Sequence, residues 1–152
     1  MIIRNLYQFG ELVTNNILHG YKLNQLTDLI KSYNNEDWQT YIDKYDIDKI
    51  VVYQNFVIQI ILMRWNKDQM TKINKYSSYG TIMKVLDGSM IEEVYKLDAK
   101  DNLQFEESKD LLLNNCSGKN QYQYVKYICN DDEAITLHIM SINDEIGKSL
   151  NI

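Results

Sequence analysis

The chain reads as a mainly β protein, an antiparallel sandwich or jelly roll carrying a helical cap at its N-terminal end. Three observations carry that expectation: apolar residues at helical spacing as far as Tyr45, a change to β-branched and aromatic runs from Lys49 onward, and turn residues between those runs. Leu6, Phe9, Leu12, Val13 and Ile17 predict one amphipathic helix, and Leu23, Leu26, Leu29, Ile30 and Tyr33 a second. Asn34-Asn35 punctuates them, and Glu36 to Tyr45 places Trp38, Tyr41, Ile42 and Tyr45 on one stripe of a third, short helix.

Strands are expected at Val51–Tyr53, Phe56–Trp65, Thr81–Leu86, Ile91–Tyr95, Leu103–Phe105, Tyr122–Cys129 and Ala134–Met140. The Phe56–Trp65 run is apolar enough to be buried on both faces. Turn chemistry falls at Asp87-Gly88, Asp98 to Asn102, Asn114 to Gly118 and Asn130-Asp131-Asp132. There is no internal repeat and no Pro- or Ser-rich linker, so the 152 residues are expected to form one domain.

A net charge of -5 disfavours nucleic acid or an anionic membrane as the main partner, because both reward basic patches. The longest apolar run, Ile58 to Met63, is interrupted by Gln59 and stops at Arg64, which is too short for a membrane span. A soluble, intracellular protein is the expectation. Cys116 and Cys129 form no disulfide framework and are expected to be reduced, as ordinary small residues. The absence of proline, the abundance of Asn, Lys, Ile and Tyr, and the presence of only Arg4 and Arg64 as arginines point to an AT-rich genome such as that of a large DNA virus or a protist.

One pattern is more specific. Asp68-x5-Asn74-x-Tyr76-x4-Thr81-x6-Gly88 has the spacing of the first cupin motif, Gly-x5-His-x-His-x3-4-Glu-x6-Gly, with neither histidine present. The motif lies within Leu62-Met63-Arg64-Trp65-Asn66-Lys67-Asp68-Gln69-Met70-Thr71-Lys72-Ile73-Asn74-Lys75-Tyr76, followed by Lys84-Val85-Leu86-Asp87-Gly88-Ser89-Met90-Ile91-Glu92-Glu93. Together with Ala134-Ile135-Thr136-Leu137-His138-Ile139-Met140-Ser141 and Trp38-x-x-Tyr41, these blocks resemble the cysteine dioxygenase family of thiol dioxygenases over roughly residues 23 to 141. The resemblance implies a cupin jelly-roll barrel over residues 47–141, a cap of two to three α-helices over 1–46, and a C-terminal tail over 142–152.

In that family three histidines hold one Fe(II). Matched residue by residue, they fall on Asn74, Tyr76 and Gln123, and no His lies between His19 and His138. A side-chain amide and an un-ionised phenol are weak ligands for iron. The family's carboxylate-binding Arg falls on Lys49, which keeps the charge and loses the bidentate fork. Its thioether-forming Cys and Tyr fall on Thr81 and Met140, so that crosslink cannot form, and its Ser-His-Tyr relay becomes Thr136, His138 and Met140, in which only the His remains. His138 is expected as a hydrogen-bonded core residue and His19 as a surface or capping one.

Asp68, Asp87, Glu92 and Glu93 show no metal-ligand spacing and read as solvated or turn residues, with Glu92 and Glu93 on opposite faces of a strand. Tyr76, Tyr79, Tyr122, Tyr124 and Tyr127 cluster around the degenerate motif in sequence, where aromatic rings could fill a vacated pocket if their hydroxyls found partners such as Gln123 or His138. The functional expectation is a pseudoenzyme, without metal, cofactor or thiol oxidation, kept for structural or protein-interaction work through a protein partner or self-association. The alternatives are a small-carboxylate binding module in which Lys49 still receives the ligand, and a dioxygenase with unusual metal ligands.

Overall fold

The computed structural model describes residues 3–75, 80–118 and 124–142. Helix α1 spans Leu6–Leu18 and starts at Asn5, whose side chain accepts a hydrogen bond from the Gln8 backbone N–H at 2.8 Å. The predicted second helix is split into a 3₁₀ turn, Leu23–Gln25, and a short α2, Thr27–Lys31, so Tyr33 lies beyond the helix end. Helix α3 spans Trp38–Lys44, inside the expected 36–45.

Nine strands follow: β1 Lys49–Gln54, β2 Ile58–Asn66, β3 Asn74–Lys75, β4 Thr81–Asp87, β5 Met90–Leu97, β6 Leu103–Leu111, β7 Cys116–Gly118, β8 Tyr124–Cys129 and β9 Glu133–Ser141. They form two antiparallel sheets, one ordered β1-β2-β9-β4-β7 and the other β3-β8-β5-β6. Two sequence-based boundaries are corrected. Strand β6 runs six residues past Phe105 to Leu111, paired with β5 throughout apart from a bulge. The expected Asn114–Gly118 turn is a turn only as far as Asn115: Asn114 takes φ 68°, and the next three residues pair with Ile82, Met83 and Lys84 as β7. The polar residues there concealed a strand one face of which is buried.

The outer face of the five-stranded sheet carries the helices. Ile58, Ile60, Leu62, Ile82, Leu86, Ile135, Leu137 and Ile139 join Leu6, Phe9, Val13, Ile30 and Trp38 in one buried apolar cluster. Gly10 permits the close approach of α1, since a Cβ there would sit 2.7 Å from the Tyr53 ring. One charge lies within this layer. Lys84 is fully buried, and its Nζ donates to the carbonyls of Ile30, Lys31 and Tyr33 at the end of α2, where a helix runs out of its own backbone donors. Burial holds the Lys84 pKa below its usual value, an effect partly offset by Cys116.

Between the sheets lies a second cluster: Trp65 from β2, Met83 and Val85 from β4, Ala134 from β9, Met90 from β5, Leu111 from β6 and Cys129 from β8. Strand β2 is therefore buried on both faces, as expected from its composition, but the run expected from Phe56 starts at Ile58, and Phe56 lies before the strand and is exposed. Gly88 closes the β4–β5 turn with φ +74°, and a Cβ on it would lie 2.3 Å from the Glu133 carbonyl oxygen. Among the described residues no helix is long and apolar enough to cross a membrane.

Candidate functional site

Directly opposed residues of antiparallel strands point to the same face, so the registers define rows of side chains across the inner surface of the five-stranded sheet. One row is Lys49, Met63, Thr136 and Val85, and the next is Val51, Ile61, His138, Met83 and Ser117. A third brings Gln59, Met140 and Thr81 together, with Thr81 and Met140 as direct partners. Five of the residues singled out from sequence, Lys49, Thr81, Thr136, His138 and Met140, thus share one face of one sheet.

Thr136 and His138 are joined chemically as well. The Trp65 indole N–H donates to Thr136 Oγ1 at 2.8 Å, and the same hydroxyl is hydrogen-bonded to His138 Nε2 at 2.7 Å, with the ring's tautomer setting which of the two donates. Threonine carries the same hydroxyl as serine, so His138 has a hydroxyl partner in Thr136. Burial pushes the His138 pKa down to about 4, and the Lys49 ammonium acts in the same direction, so the ring is neutral at pH 7.

The facing sheet contributes a second polar chain. Glu92, read from sequence as solvated, is completely buried, because Met90, Glu92 and Val94 form the inward face of β5. Its carboxylate accepts a short hydrogen bond from Ser117 Oγ across the barrel, and Lys109 Nζ lies 3.8 Å from its other oxygen. Tyr127 Oη is 3.2 Å from the same Ser117 Oγ. Glu93 faces outward, where Tyr95 Oη donates to it at 3.0 Å, which agrees with the expected alternation.

Of the proposed tyrosine filling, Tyr127 alone is described as inward. Tyr124 lies on the outer face, paired with Tyr95, while Tyr76, Tyr79, Tyr122 and the matched ligand position Gln123 lie outside the described residues. Asn74 is placed by its backbone, opposite Val125. Asp68 takes φ 64° at a turn, and His19 is exposed with Nδ1 2.6 Å from the Asn15 carbonyl, both as expected. Cys116 and Cys129 are free thiols. Among the described residues no group of three His, Cys, Asp or Glu side chains converges to hold a metal ion.

The residues missed in the sequence are Ser117 inside the barrel and Lys84 outside it, and Glu92 is read there in the wrong environment. The available signal was a charge inside an otherwise apolar strand, Lys84 between Met83 and Val85 and Glu92 between Met90 and Val94.

No family model and no curated protein matches the chain by sequence. By structure it is similar to a cupin-2 domain containing protein from Shewanella frigidimarina, with a TM-score of 0.53, 9% identity, and 71% of this chain and 95% of that one covered. It is also similar to hydroquinone 1,2-dioxygenase from Sphingomonas sp. TTNP3, at TM-score 0.52, 12% identity, and 70% and 71% coverage. KdgF from Halomonas sp. aligns at TM-score 0.51, 9% identity, and 61% and 76% coverage. At such identities the likeness carries the fold, and the fold is a cupin jelly roll.

Proposed function

We propose that this cupin is a pseudoenzyme resembling cysteine dioxygenase, a barrel kept for protein interaction after its iron chemistry was lost. The observation that carries this reading is the donor set. The positions matched to the three iron ligands hold Asn74, Tyr76 and Gln123, and the described interior offers His138 alone as an imidazole, with its Nε2 committed to Thr136. Neutral amide and phenol oxygens do not fit a ferrous ion that the family holds by three imidazoles. The direct pairing of Thr81 with Met140 supports the residue-by-residue match, because the crosslinked pair that they replace must be neighbours.

A second reading rests on Lys49. Its row neighbours Met63 and Thr136 face the barrel, and its ammonium is close enough to depress His138, so this reading places a small carboxylate between Lys49 and the His138 ring.

Metal analysis of the purified chain, with an assay for sulfinate formed from cysteine, tests the first reading. Absence of iron and of sulfinate is expected; stoichiometric iron with sulfinate formation overturns it. The combined Asn74→His, Tyr76→His and Gln123→His variant is expected to regain iron binding.

A further inference from the structure

We propose that the outer face of the four-stranded sheet is a two-fold self-association surface whose partner is a second copy of this chain. The proposal deepens the interaction reading above by naming the partner and the surface. The helices pack on β1, β2, β4 and β7, all strands of the other sheet, so the cap covers one side of the sandwich. The opposite side is nevertheless apolar in two rows. One row aligns Met70, Ile128 and Ile91 and ends at Asp110; the other aligns Tyr124, Tyr95 and Phe105, with the last two rings in edge-to-face contact at 5.8 Å, and starts at the register position of Lys75. Phe105 is 57% exposed and Met70 51%. Exposed apolar rows on a sheet face are a recurrent mark of association.

Between the two rows lies one charged row, in which Lys126 of β8 is directly opposite Glu93 of β5. That arrangement is self-complementary. A two-fold axis parallel to the strands, midway between β5 and β8, exchanges the two positions, so that Glu93 of one copy meets Lys126 of the other, and the reverse. The same operation keeps each row at its own height along the strands, so Ile91 meets Ile128 and Tyr95 meets Tyr124 at the centre, with Met70 set against Asp110 and Phe105 against the Lys75 position at the margins. An isologous interface demands that kind of self-matching, and aligned strands are a preferred way for sheets to pack. With strands ~4.8 Å apart and side chains on one face repeating every ~6.8 Å, the charges and both apolar rows come into register together. The edge strand β6 is a poorer candidate, because its bulge and its charged Glu106, Glu107, Lys109 and Asp110 blunt strand-to-strand addition.

The test is sedimentation equilibrium of the full chain from about 1 to about 100 µM, a range that brackets ordinary weak-to-moderate dimers. A dimer is expected, weakened about tenfold or more by Glu93→Lys or by Lys126→Glu, because each single swap sets like charges together. The double swap Glu93→Lys with Lys126→Glu restores the pairing and is expected to recover most of the affinity. Phe105→Ser, at a position whose exposure spares the fold of one copy, is expected to weaken the dimer while leaving the far-UV circular dichroism unchanged. A monomer throughout the range, a dimer indifferent to the single swaps, or a double swap no better than the singles overturns the proposal. Iron and sulfinate measurements on the same sample are independent of it, so the dimer and the metal-free reading fail separately.

Discussion

The two faces of the five-stranded sheet use buried polarity differently. On the helix side a large apolar cluster contains one charge, Lys84, and its three acceptors all belong to the chain around the end of α2. On the barrel side a smaller apolar cluster is threaded by two hydrogen-bonded chains, Trp65–Thr136–His138 and Glu92–Ser117–Tyr127. The difference lies in what the polar groups bind. Lys84 fastens the cap to the barrel, whereas the interior groups hydrogen-bond to one another across and along the strands.

The comparison is broken most severely at Lys84. Replacing it with Ala strands buried carbonyls and removes the buried side-chain stem, with an expected cost of about 4 kcal/mol in urea unfolding. A loss under about 1 kcal/mol would sink the role assigned to it. Next comes pH. The folded pKa of His138 is depressed to about 4 from an ordinary 6.5, so the unfolded chain binds the proton more readily below pH 6.5. Stability from this group is therefore complete above about pH 6.5 and is lost as pH falls towards 4. By pH 4.5 the expected loss is about 2 kcal/mol relative to pH 7.5, and His138→Gln should flatten that part of the profile. A wild-type profile that His138→Gln leaves unaltered would show that the ring is not the titrating group.

Glu92→Gln is expected to cost about 1.5 kcal/mol, measured the same way, since it trades a charged acceptor of the Ser117 hydroxyl for a neutral one. The half-exposed Lys109 adds little to that figure, because water screens its charge. Smallest is Phe105→Ser, expected to cost the isolated chain at most about 1 kcal/mol, the worth of its ring contact with Tyr95. That small cost sharpens the contrast between the capped side of the sandwich and the bare one.

Much of the fold was legible because it follows from local spacing: the α1 stripe, the doubly apolar β2 run, and the turns at Gly88 and Asp98–Asn102. The rest depends on neighbours distant in the chain. Cys116-Ser117-Gly118 has turn chemistry in isolation and becomes a strand because β4 offers an open edge. Glu92 looks solvated until Ser117, Tyr127 and Lys109 are brought to it from three other strands. Tyr124 and Tyr127 sit in one sequence cluster, and strand alternation sends them to opposite faces. At the candidate site the lack of imidazoles at Asn74, Tyr76 and Gln123 was readable from residue type. The Thr136–His138 link needed geometry, since residue type alone does not set the two side chains within hydrogen-bond reach.

The central position of β9 has a consequence for how the molecule is made. It pairs along its whole length with β2, joining Ile58 to Ser141 and Asn66 to Glu133, and fills the space between β2 and β4. The five-stranded sheet therefore cannot close until residues near 141 have emerged from the ribosome. Until then the edge of β2 that β9 occupies is left without its hydrogen-bond partner. Such long-range pairing predicts refolding on the millisecond-to-second scale of β-rich proteins, and a nascent chain that depends on chaperones during synthesis.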